Sequence, residues 1–362
     1  MVKVKYRDCI YGLSAYIPGK PIEEVKKEYG IDSVVKLASN ENPWGASDSA
    51  KDAYIKALEN ISVYPDGNAT VLKNAIAEKY HVDPDAIITG CGTDEVIYMI
   101  GKTFVDPNDE CITGEITFSQ YASSVESMSG KMIYVPLVNN TFDLNGIYEK
   151  ITDKTKIIFL SNPNNPTGTA YGQTAQTEFI KKVPENILIV IDEAYAEYVT
   201  MPDYPETLAE MKERGNIMLL KTMSKIYGLA SLRVGFGIAD SDIIDKMNRI
   251  RGPFNVTTSG QLAAAAAFKD EKFVRHSYDE NVKTLKFLYA LFDEMKLEYI
   301  PTQANFVMVN VNDDCARVFK ELMKRGYIVR PGSPFGLHTH IRVTTGTEEQ
   351  MKGFAAALKE II

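Results

Sequence analysis

Short apolar runs recur along the first two thirds of this chain, and stretches with helical periodicity separate them. The runs are Ala86–Gly90, Glu110–Thr113, Lys131–Pro136, Lys156–Ser161, Ile187–Asp192, Ile217–Thr222 and Val234–Ala239. This alternation is typical of a doubly wound α/β domain with a mostly parallel, buried sheet. Several runs end in or beside Gly, Asn, Asp or Ser, and ligands of open α/β sheets bind at the carboxyl ends of the strands. We therefore predict a seven-stranded sheet with a functional site along that edge.

The pattern changes after Gly260 to sequence that is rich in helix formers. Gln261–Lys269 contains an unbroken run of alanines, and apolar positions continue to about Met295, which predicts long helices that lead away from the sheet. Short strand candidates and a closing helix from Thr347 follow; the strand candidates are Phe306–Asn310, Tyr327–Arg330 and Ile341–Thr344.

These patterns predict two domains. We expect a large α/β domain over residues 46–260, and a smaller α+β domain formed by residues 1–45 and 261–362. The first 45 residues have no sheet pattern of their own, so we expect them to pack against the smaller domain.

Composition and charge exclude several classes of protein. The 362 residues are 45% hydrophobic and 24% charged, as in an ordinary globular protein long enough for two domains. A net charge of −8 argues against a nucleic-acid partner, which needs clustered Lys and Arg. The four cysteines form no C-x-x-C pair, so we expect no disulfide framework and no metal site. Without a leader-like start or an apolar run of about 18 residues, we expect a cytoplasmic protein with no membrane partner.

The strongest local motif surrounds Lys225, which lies three residues after the end of the run Ile217–Thr222. A buried ammonium group is costly unless it is paired or neutralised. Desolvation lowers the pKa of such a lysine, which frees the amine to attack an aldehyde as a Schiff-base residue does. A Ser-Lys after a strand is more often structural when it stands alone, so the interpretation depends on its partners.

Polar side chains follow two other buried runs. Asp192 closes the run Ile187–Asp192, where it would either cap a helix or pair with a protonated pyridine nitrogen. Tyr195 and Asn165 would lie at the same edge and hydrogen-bond a ring oxygen, although the Asn-Pro-Thr-Gly sequence around Asn165 is also an ordinary turn former.

A glycine turn, Gly90-Cys-Gly92-Thr93-Asp94, predicts an anion site, because glycine lets backbone N–H groups and a helix start approach a phosphate. Thr222, Ser224 and Arg233 would complete this phosphate site. The plain alternative is a capped strand-to-helix turn. A nicotinamide site is disfavoured because the third glycine of the dinucleotide fingerprint is missing.

The joint order of glycine turn, aromatic residue, Asn-Pro-Thr-Gly, Asp-x-x-Tyr, Ser-Lys and Arg resembles the fold type I pyridoxal-phosphate-dependent aminotransferases. Within them it is similar to the histidinol-phosphate aminotransferase family. The resemblance covers nearly the whole chain, from Tyr16-Ile-Pro-Gly-Lys-Pro and Ala38-Ser-Asn-Glu-Asn-Pro-Trp-Gly45 to Ile341-Arg342-Val-Thr-Thr-Gly-Thr347. It implies pyridoxal 5'-phosphate as cofactor, held by Lys225 as an internal Schiff base.

The resemblance also implies roles for residues that spacing alone does not single out. Phe118 matches the aromatic residue that stacks on the cofactor ring. Tyr64 matches the residue that reaches the cofactor phosphate of a neighbouring subunit, which implies a homodimer with shared active sites. Segments that border the substrate pocket contain Tyr16 and Asn40. The arginines that bind the anionic ends of substrates match Arg330 and Arg342.

The implied reaction is a two-stage amino transfer in which Lys225 moves the proton from the substrate Cα. Histidinol phosphate would be the amino donor and 2-oxoglutarate the acceptor. Two alternatives stay open, an aromatic amino-acid aminotransferase and a lyase similar to threonine-phosphate decarboxylase. A cofactor-binding regulator is disfavoured because the chain has no basic helix-turn-helix segment.

Overall fold

The computed structural model describes residues 4–15 and 19–362, so Tyr16 lies outside the described residues. Within that part of the chain the strands are β1 (Val35–Lys36), β2 (Ile87–Cys91), β3 (Glu110–Gly114), β4 (Lys131–Val135), β5 (Thr155–Ser161), β6 (Leu188–Asp192), β7 (Ile217–Thr222), β8 (Val234–Ile238), β9 (Tyr299–Ile300), β10 (Phe306–Asn310), β11 (Tyr327–Ile328), β12 (Arg330–Pro331) and β13 (His340–Thr344).

The α-helices of the same residues are α1 (Ile22–Tyr29), α2 (Asp48–Ala57), α3 (Thr70–Tyr80), α4 (Gly92–Phe104), α5 (Gln120–Glu126), α6 (Leu144–Glu149), α7 (Gln173–Lys182), α8 (Thr207–Met211), α9 (Ser241–Asn248), α10 (Thr258–Phe268), α11 (Glu271–Glu294), α12 (Cys315–Lys324) and α13 (Glu348–Lys359). Short 3₁₀ helices lie at Asp8–Gly12, Leu58–Asn60, Pro84–Ala86, Ala196–Tyr198, Ala230–Leu232 and Ser333–Phe335.

The predicted seven-stranded, mostly parallel sheet is confirmed. Among the described residues its strand order is β2-β8-β7-β6-β5-β3-β4, and β8 runs antiparallel to both of its neighbours. Every residue of β6 and β7 is buried, as expected for strands covered by helices on both faces. The apolar runs of the sequence correspond to these strands because double-sided burial requires continuous apolar sequence.

The register brings the ends of several strands to one edge of this sheet. Asp192 is paired with Ser161 on β5 and with Leu220 on β7. Because β8 is reversed, its first residues lie at the same edge, where Val234 pairs with Cys91 at the end of β2. The segments that follow β2, β5, β6 and β7 therefore converge with the segment that precedes β8.

The C-terminal part of the chain forms an antiparallel sheet with the order β12-β13-β10-β9. The prediction of a single strand over Tyr327–Arg330 is wrong, because Tyr327–Ile328 pairs with β1 whereas Arg330–Pro331 pairs with β13. Pro331 has no N–H to extend a ladder, and the chain passes between two sheets at Val329. The first 45 residues have no sheet pattern in the sequence, but Val35–Lys36 forms the short strand β1, which pairs with β11.

The sequence predicted that the helix over Gln261–Lys269 would lead away from the sheet, but α10 stays packed against it. It packs against α2 and α3, and its alanines share a core with Phe236 and Ile238 of β8. Alanine side chains are small, so the helix approaches its neighbours closely. The division of the chain after residue 260 stays a proposal. No helix of the described residues, including the 24-residue α11, is long and apolar enough to cross a lipid bilayer.

Two glycines join the N-terminal segment to the loop that contains Lys225. Gly228 has a φ of +70°, and a Cβ there would lie 1.8 Å from the carbonyl oxygen of Gly45, so a side chain does not fit. The Asn42 amide donates to the carbonyl of Ile226 at 2.8 Å in the same contact. The segment around Asn40 is thereby held against the lysine loop.

Candidate active site

Lys225 follows β7 and is half-buried. Its Nζ donates a hydrogen bond to the carbonyl oxygen of Ser39 at 3.1 Å. The same nitrogen lies 5.6 Å from the centre of the Tyr195 ring. The lysine amine is thus in contact with polar backbone from the N-terminal segment and with a second predicted site residue. Within residues 4–15 and 19–362, no carboxylate is among its hydrogen-bond partners.

Asn40 links the N-terminal segment to Tyr195. Its amide donates to the Tyr195 hydroxyl at 2.9 Å. The Thr344 hydroxyl accepts from the Asn40 N–H and donates to its side-chain oxygen, both at 3.0 Å. Because the Tyr195 oxygen accepts here, its own O–H is available to donate to a second partner.

Asp192 is buried, and two donors hold its carboxylate. The Tyr121 hydroxyl donates to Oδ2 at 2.8 Å, and the Ala194 N–H donates to Oδ1 at 3.0 Å. Burial raises the pKa of this carboxyl to about 6, while the Tyr121 hydrogen bond acts in the opposite direction. A cation placed against Asp192 would be stabilised, which suits the protonated ring nitrogen expected from the sequence.

Tyr121 was not identified from the sequence as a site residue. Its ring stacks on Phe159 with 5.0 Å between ring centres and 10° between planes, and Phe118 contacts it edge-on at 5.7 Å. Its position three residues after Phe118 is the only signal that the sequence offers. The hydroxyl meets a carboxylate 71 residues away, and such contacts depend on the sheet register.

We expect Tyr121→Phe to raise the pKa of Asp192 above its value in the wild type. The variant removes a hydrogen bond to a charged group, which contributes about 1.5–3 kcal/mol, or roughly one to two pH units. Carboxyl carbon NMR of the cofactor-free protein would measure the shift, with the more exposed Tyr148→Phe as control. An unchanged Asp192 titration would contradict the importance of this contact.

The glycine turn brings the start of α4 close to Arg233. Gly92 has a φ of +76°, and a Cβ there would lie 2.5 Å from Nη2 of Arg233. A Cβ at Gly235 would lie 2.2 Å from the backbone nitrogen of Thr93, so β8 also approaches the helix start closely. The Gly92 N–H donates to the carbonyl of Arg233 at 2.9 Å. The next N–H groups of α4 have no intrahelical acceptor, and the positive end of the helix dipole lies at this turn.

The other predicted phosphate residues meet at the same turn. Arg233 contacts the Ser224 hydroxyl at 3.5 Å and the Asp94 carboxylate at 3.3 Å. The Thr222 hydroxyl accepts from the Ser224 N–H at 3.1 Å, and the Thr93 hydroxyl donates to the carbonyl of residue 221 at 3.1 Å. Backbone N–H groups, hydroxyls and one guanidinium form a donor set that fits a phosphate.

Arg342 and Asn165 come together across 177 residues of sequence. The Arg342 guanidinium donates to the side-chain oxygen of Asn165 and, at 2.8 Å, to the carbonyl of Ala38. Arg330 lies directly opposite Arg342 in the ladder between β12 and β13. Directly opposed residues point to the same face of a sheet, so two guanidinium groups share one face and favour an anion there.

Among the described residues, the contacts of Tyr64 do not include Lys225, Asp192 or Arg233. Its side chain is 79% exposed, and its ring stacks on Phe254 with 4.9 Å between centres. The predicted role of Tyr64 lies in a neighbouring subunit, so its position here leaves that prediction open.

The model of the family described as aminotransferase class I and II matches residues 32–358 of this chain. A histidinol-phosphate aminotransferase from Caldicellulosiruptor saccharolyticus is 46% identical over 99% of this chain and 100% of its own length. One from Moorella thermoacetica is also 46% identical, over 99% of this chain and 93% of its own.

Solved structures are similar in fold. The histidinol-phosphate aminotransferase from Sinorhizobium meliloti, in complex with pyridoxal-5'-phosphate, superposes with a TM-score of 0.90 at 24% identity over 99% of this chain and 98% of that one. A Thermus thermophilus aspartate aminotransferase with maleate gives 0.85 at 19% identity, over 99% and 100%. The predicted fold type I architecture is confirmed, and the shared fold leaves the choice of substrate open.

Proposed function

This chain belongs to the aminotransferase class I and II family, and we propose that it is a histidinol-phosphate aminotransferase that uses pyridoxal 5'-phosphate. The observation that carries the proposal is the meeting of Lys225, Tyr195 and Asn40 beside the buried Asp192 at one edge of the sheet. The names of the full-length relatives support histidinol phosphate as the amino donor, and we propose 2-oxoglutarate as the acceptor.

The side chains at this edge fit the cofactor. When bound, pyridoxal phosphate supplies the aldehyde that takes up the amino group and a ring that withdraws electrons from the substrate Cα. Asp192 would pair with the ring nitrogen, because its carboxylate is buried and has no cationic hydrogen-bond partner in the part of the chain that the structure describes. Tyr195 and Asn165 would donate to the ring oxygen, and Phe118 would pack on the ring.

The phosphate would bind where donors converge on the start of α4. The residues proposed for it are Gly92, Thr93, Asp94, Thr222, Ser224 and Arg233, with Tyr64 from a neighbouring subunit. Backbone N–H groups at the positive end of the helix dipole favour a dianion.

Lys225 would both hold the cofactor and move protons. Its amine would be the general base that takes the proton from the donor Cα. The carbonyl of Ser39 and the Tyr195 ring keep Nζ close to this position. The same amine returns a proton in the second half of the reaction, when the acceptor receives the amino group.

Arg330 and Arg342 would bind the anionic groups of the substrates. A guanidinium group offers two parallel donors to a carboxylate or phosphate. The two arginines lie opposite each other on neighbouring strands, so this face of the sheet carries two positive charges and requires an anionic group from a ligand that binds there. The carboxylate of 2-oxoglutarate and the phosphate of histidinol phosphate both meet this requirement.

We propose a homodimer in the cytoplasm. The side chains around Tyr64 are apolar and exposed, with 80% of Ile61 and 64% of Val63 accessible, which favours burial against a second copy. All four cysteines are free, as expected in a reducing compartment. Light scattering would measure the mass in solution, and a monomer would contradict the shared active site.

A panel of single-turnover reactions tests the donor. Loss of the cofactor absorbance near the visible range is followed with histidinol phosphate, phenylalanine, tyrosine and threonine phosphate, each without acceptor. We expect histidinol phosphate to react fastest and to release no carbon dioxide. Faster reaction with the aromatic amino acids, or carbon dioxide from threonine phosphate, would contradict the proposal.

A further inference from the structure

A second lysine, Lys221, lies four residues before Lys225 and is buried between two carboxylates. Its Nζ is 3.0 Å from Oε2 of Glu193 and 3.2 Å from Oε1 of Glu197. The side chains of Lys221 and Glu193 are 9% and 8% exposed. Burial favours the neutral amine, but the carboxylates of Glu197 and Glu193 outweigh it and raise the pKa of Lys221 above its ordinary value.

The free-energy cost of burying the charges of Lys221, Glu193 and Glu197 indicates that these residues have a role other than stabilising the fold. Desolvating three charges consumes most of the energy that their attraction supplies, and neutral residues of similar volume usually stabilise a core as well. The Tyr80 ring is 5.7 Å from Nζ, and Thr207 donates to Glu193, so neighbours from two further elements complete the group.

The two carboxylates bracket Tyr195 in sequence. Glu193 precedes Tyr195 by two residues and Glu197 follows it by two, and both contact the same ammonium group of β7. The Glu193 N–H also donates to the carbonyl of Leu220 at 3.0 Å, which fixes the start of this turn to β7. Tyr195 therefore belongs to a turn that is fastened at both ends to the strand that leads into Lys225.

The backbone of Lys221 also contacts the start of α4. Its carbonyl accepts the Thr93 hydroxyl at 3.1 Å, at the start of α4. Three parts of the site thus meet at one residue, namely the Tyr195 turn, the Lys225 loop and the start of α4.

We propose that Lys221 is a positioning residue that holds Tyr195 at a fixed place relative to Lys225, an inference that rests on the proposed function. It does not touch the reacting atoms. Its ammonium group fixes both ends of the Glu193–Glu197 turn, so the Tyr195 ring stays beside Nζ of Lys225 and within reach of the Asn40 amide.

Two variants test this inference, because removing the ammonium group alone leaves two buried carboxylates without a counter-charge. The first is Lys221→Met. The second combines Lys221→Met with Glu193→Gln and Glu197→Gln. It removes both ion pairs of Lys221, which we call the clamp on the Tyr195 turn, and leaves no unbalanced charge. Lys156→Met is the matched control, since Lys156 is half-exposed on β5 and its ion pair with Asp109 is 4.0 Å long.

Two measurements are made on each protein. The first is the steady-state kinetics of the holoenzyme with histidinol phosphate, where a displaced Tyr195 is expected to lower kcat about 10- to 100-fold and to change KM less than about twofold. The second is the ¹⁹F NMR signal of 3-fluorotyrosine at position 195 in cofactor-free protein. We expect the signal to shift or broaden in the triple variant and to keep its wild-type position in the control.

The inference is overturned if the folded triple variant keeps the wild-type kcat, or if its ¹⁹F signal at position 195 is unchanged. It is supported if kcat falls and the signal moves. If the wild-type protein converts none of the donors, the proposed function fails, and the fluorine signal alone then decides whether Lys221 positions Tyr195.

Discussion

Lys225→Ala is expected to lower kcat by at least about 10³-fold, because one change removes the covalent anchor and the general base. Nζ of Lys225 contacts the Ser39 carbonyl and the Tyr195 ring and takes part in no ion pair among the described residues. Its loss should therefore leave the fold intact. Steady-state kinetics would measure the loss, and the absorbance of a lysine-bound cofactor should disappear with it.

Two controls separate a catalytic role of Lys225 from a structural one. Lys212→Ala changes an exposed lysine and should leave turnover unchanged. A small primary amine added to Lys225→Ala should restore part of the activity, since it replaces the missing base. Turnover within about tenfold of wild type would contradict the assignment of Lys225.

Mixing variants also tests the shared site. A dimer of one Lys225→Ala subunit and one Tyr64→Ala subunit contains one site with both residues intact if Tyr64 acts across the interface. Activity should then reappear when the two weak variants are mixed. If Tyr64 acts within its own chain, both sites are damaged and mixing restores nothing.

Asp192→Asn is expected to lower kcat by about 10²- to 10³-fold, a loss typical of removing one preorganised electrostatic contact. Asparagine keeps the shape of the side chain and its contact with Tyr121, but a neutral amide no longer stabilises a protonated ring nitrogen. Glu126→Gln is the control, because burial also raises the pKa of this carboxyl although it lies outside the site. Equal effects of the two changes would contradict the assignment of Asp192.

The same variant has a signature in the stability of the cofactor-free protein. Burial raises the pKa of Asp192 from 3.8 to about 6, so the folded chain binds this proton more tightly than the unfolded chain. The stability that this proton contributes is fully present below the lower value and is lost as the pH rises through the higher one. Between about pH 3.5 and pH 7, Asp192→Asn should gain on the order of 2–3 kcal/mol relative to wild type in urea unfolding. A difference that does not depend on pH would contradict the buried titration.

Much of the sheet could be predicted from the sequence because its strands are covered on both faces. The run Ile217–Thr222 coincides with β7, and Glu110–Thr113 differs from β3 by one residue. Short strands that are only partly buried leave a weaker pattern. The two residues of β1 are too few to form a recognisable strand pattern in the sequence. The break between β11 and β12 arises because β11 pairs with β1 whereas β12 pairs with β13, and the sequence does not show these partners.

The residues of the candidate site were also predictable from the sequence only in part. Asp192 ends β6 and Lys225 follows β7 by three residues. Both are visible in the sequence because polar groups that close or follow buried apolar runs are unusual. Contacts between distant segments are not visible in this way. Asn40 meets Tyr195 across 155 residues, and the clamp of Lys221 on the Tyr195 turn requires the register of β6 against β7. The motif Asp192-Glu-Ala-Tyr195-Ala-Glu197 contains both acidic partners, but only the packed structure brings them to one ammonium group.

The lysine that holds the cofactor can be identified directly. The holoenzyme is reduced with borohydride, which makes the bond between cofactor and lysine permanent, and the digested peptides are analysed by mass spectrometry. We predict the added mass on Lys225, since Lys221 is charged and fixed between Glu193 and Glu197. Added mass on Lys221 or another lysine, or none on any peptide, would contradict the role of Lys225 as the lysine that holds the cofactor.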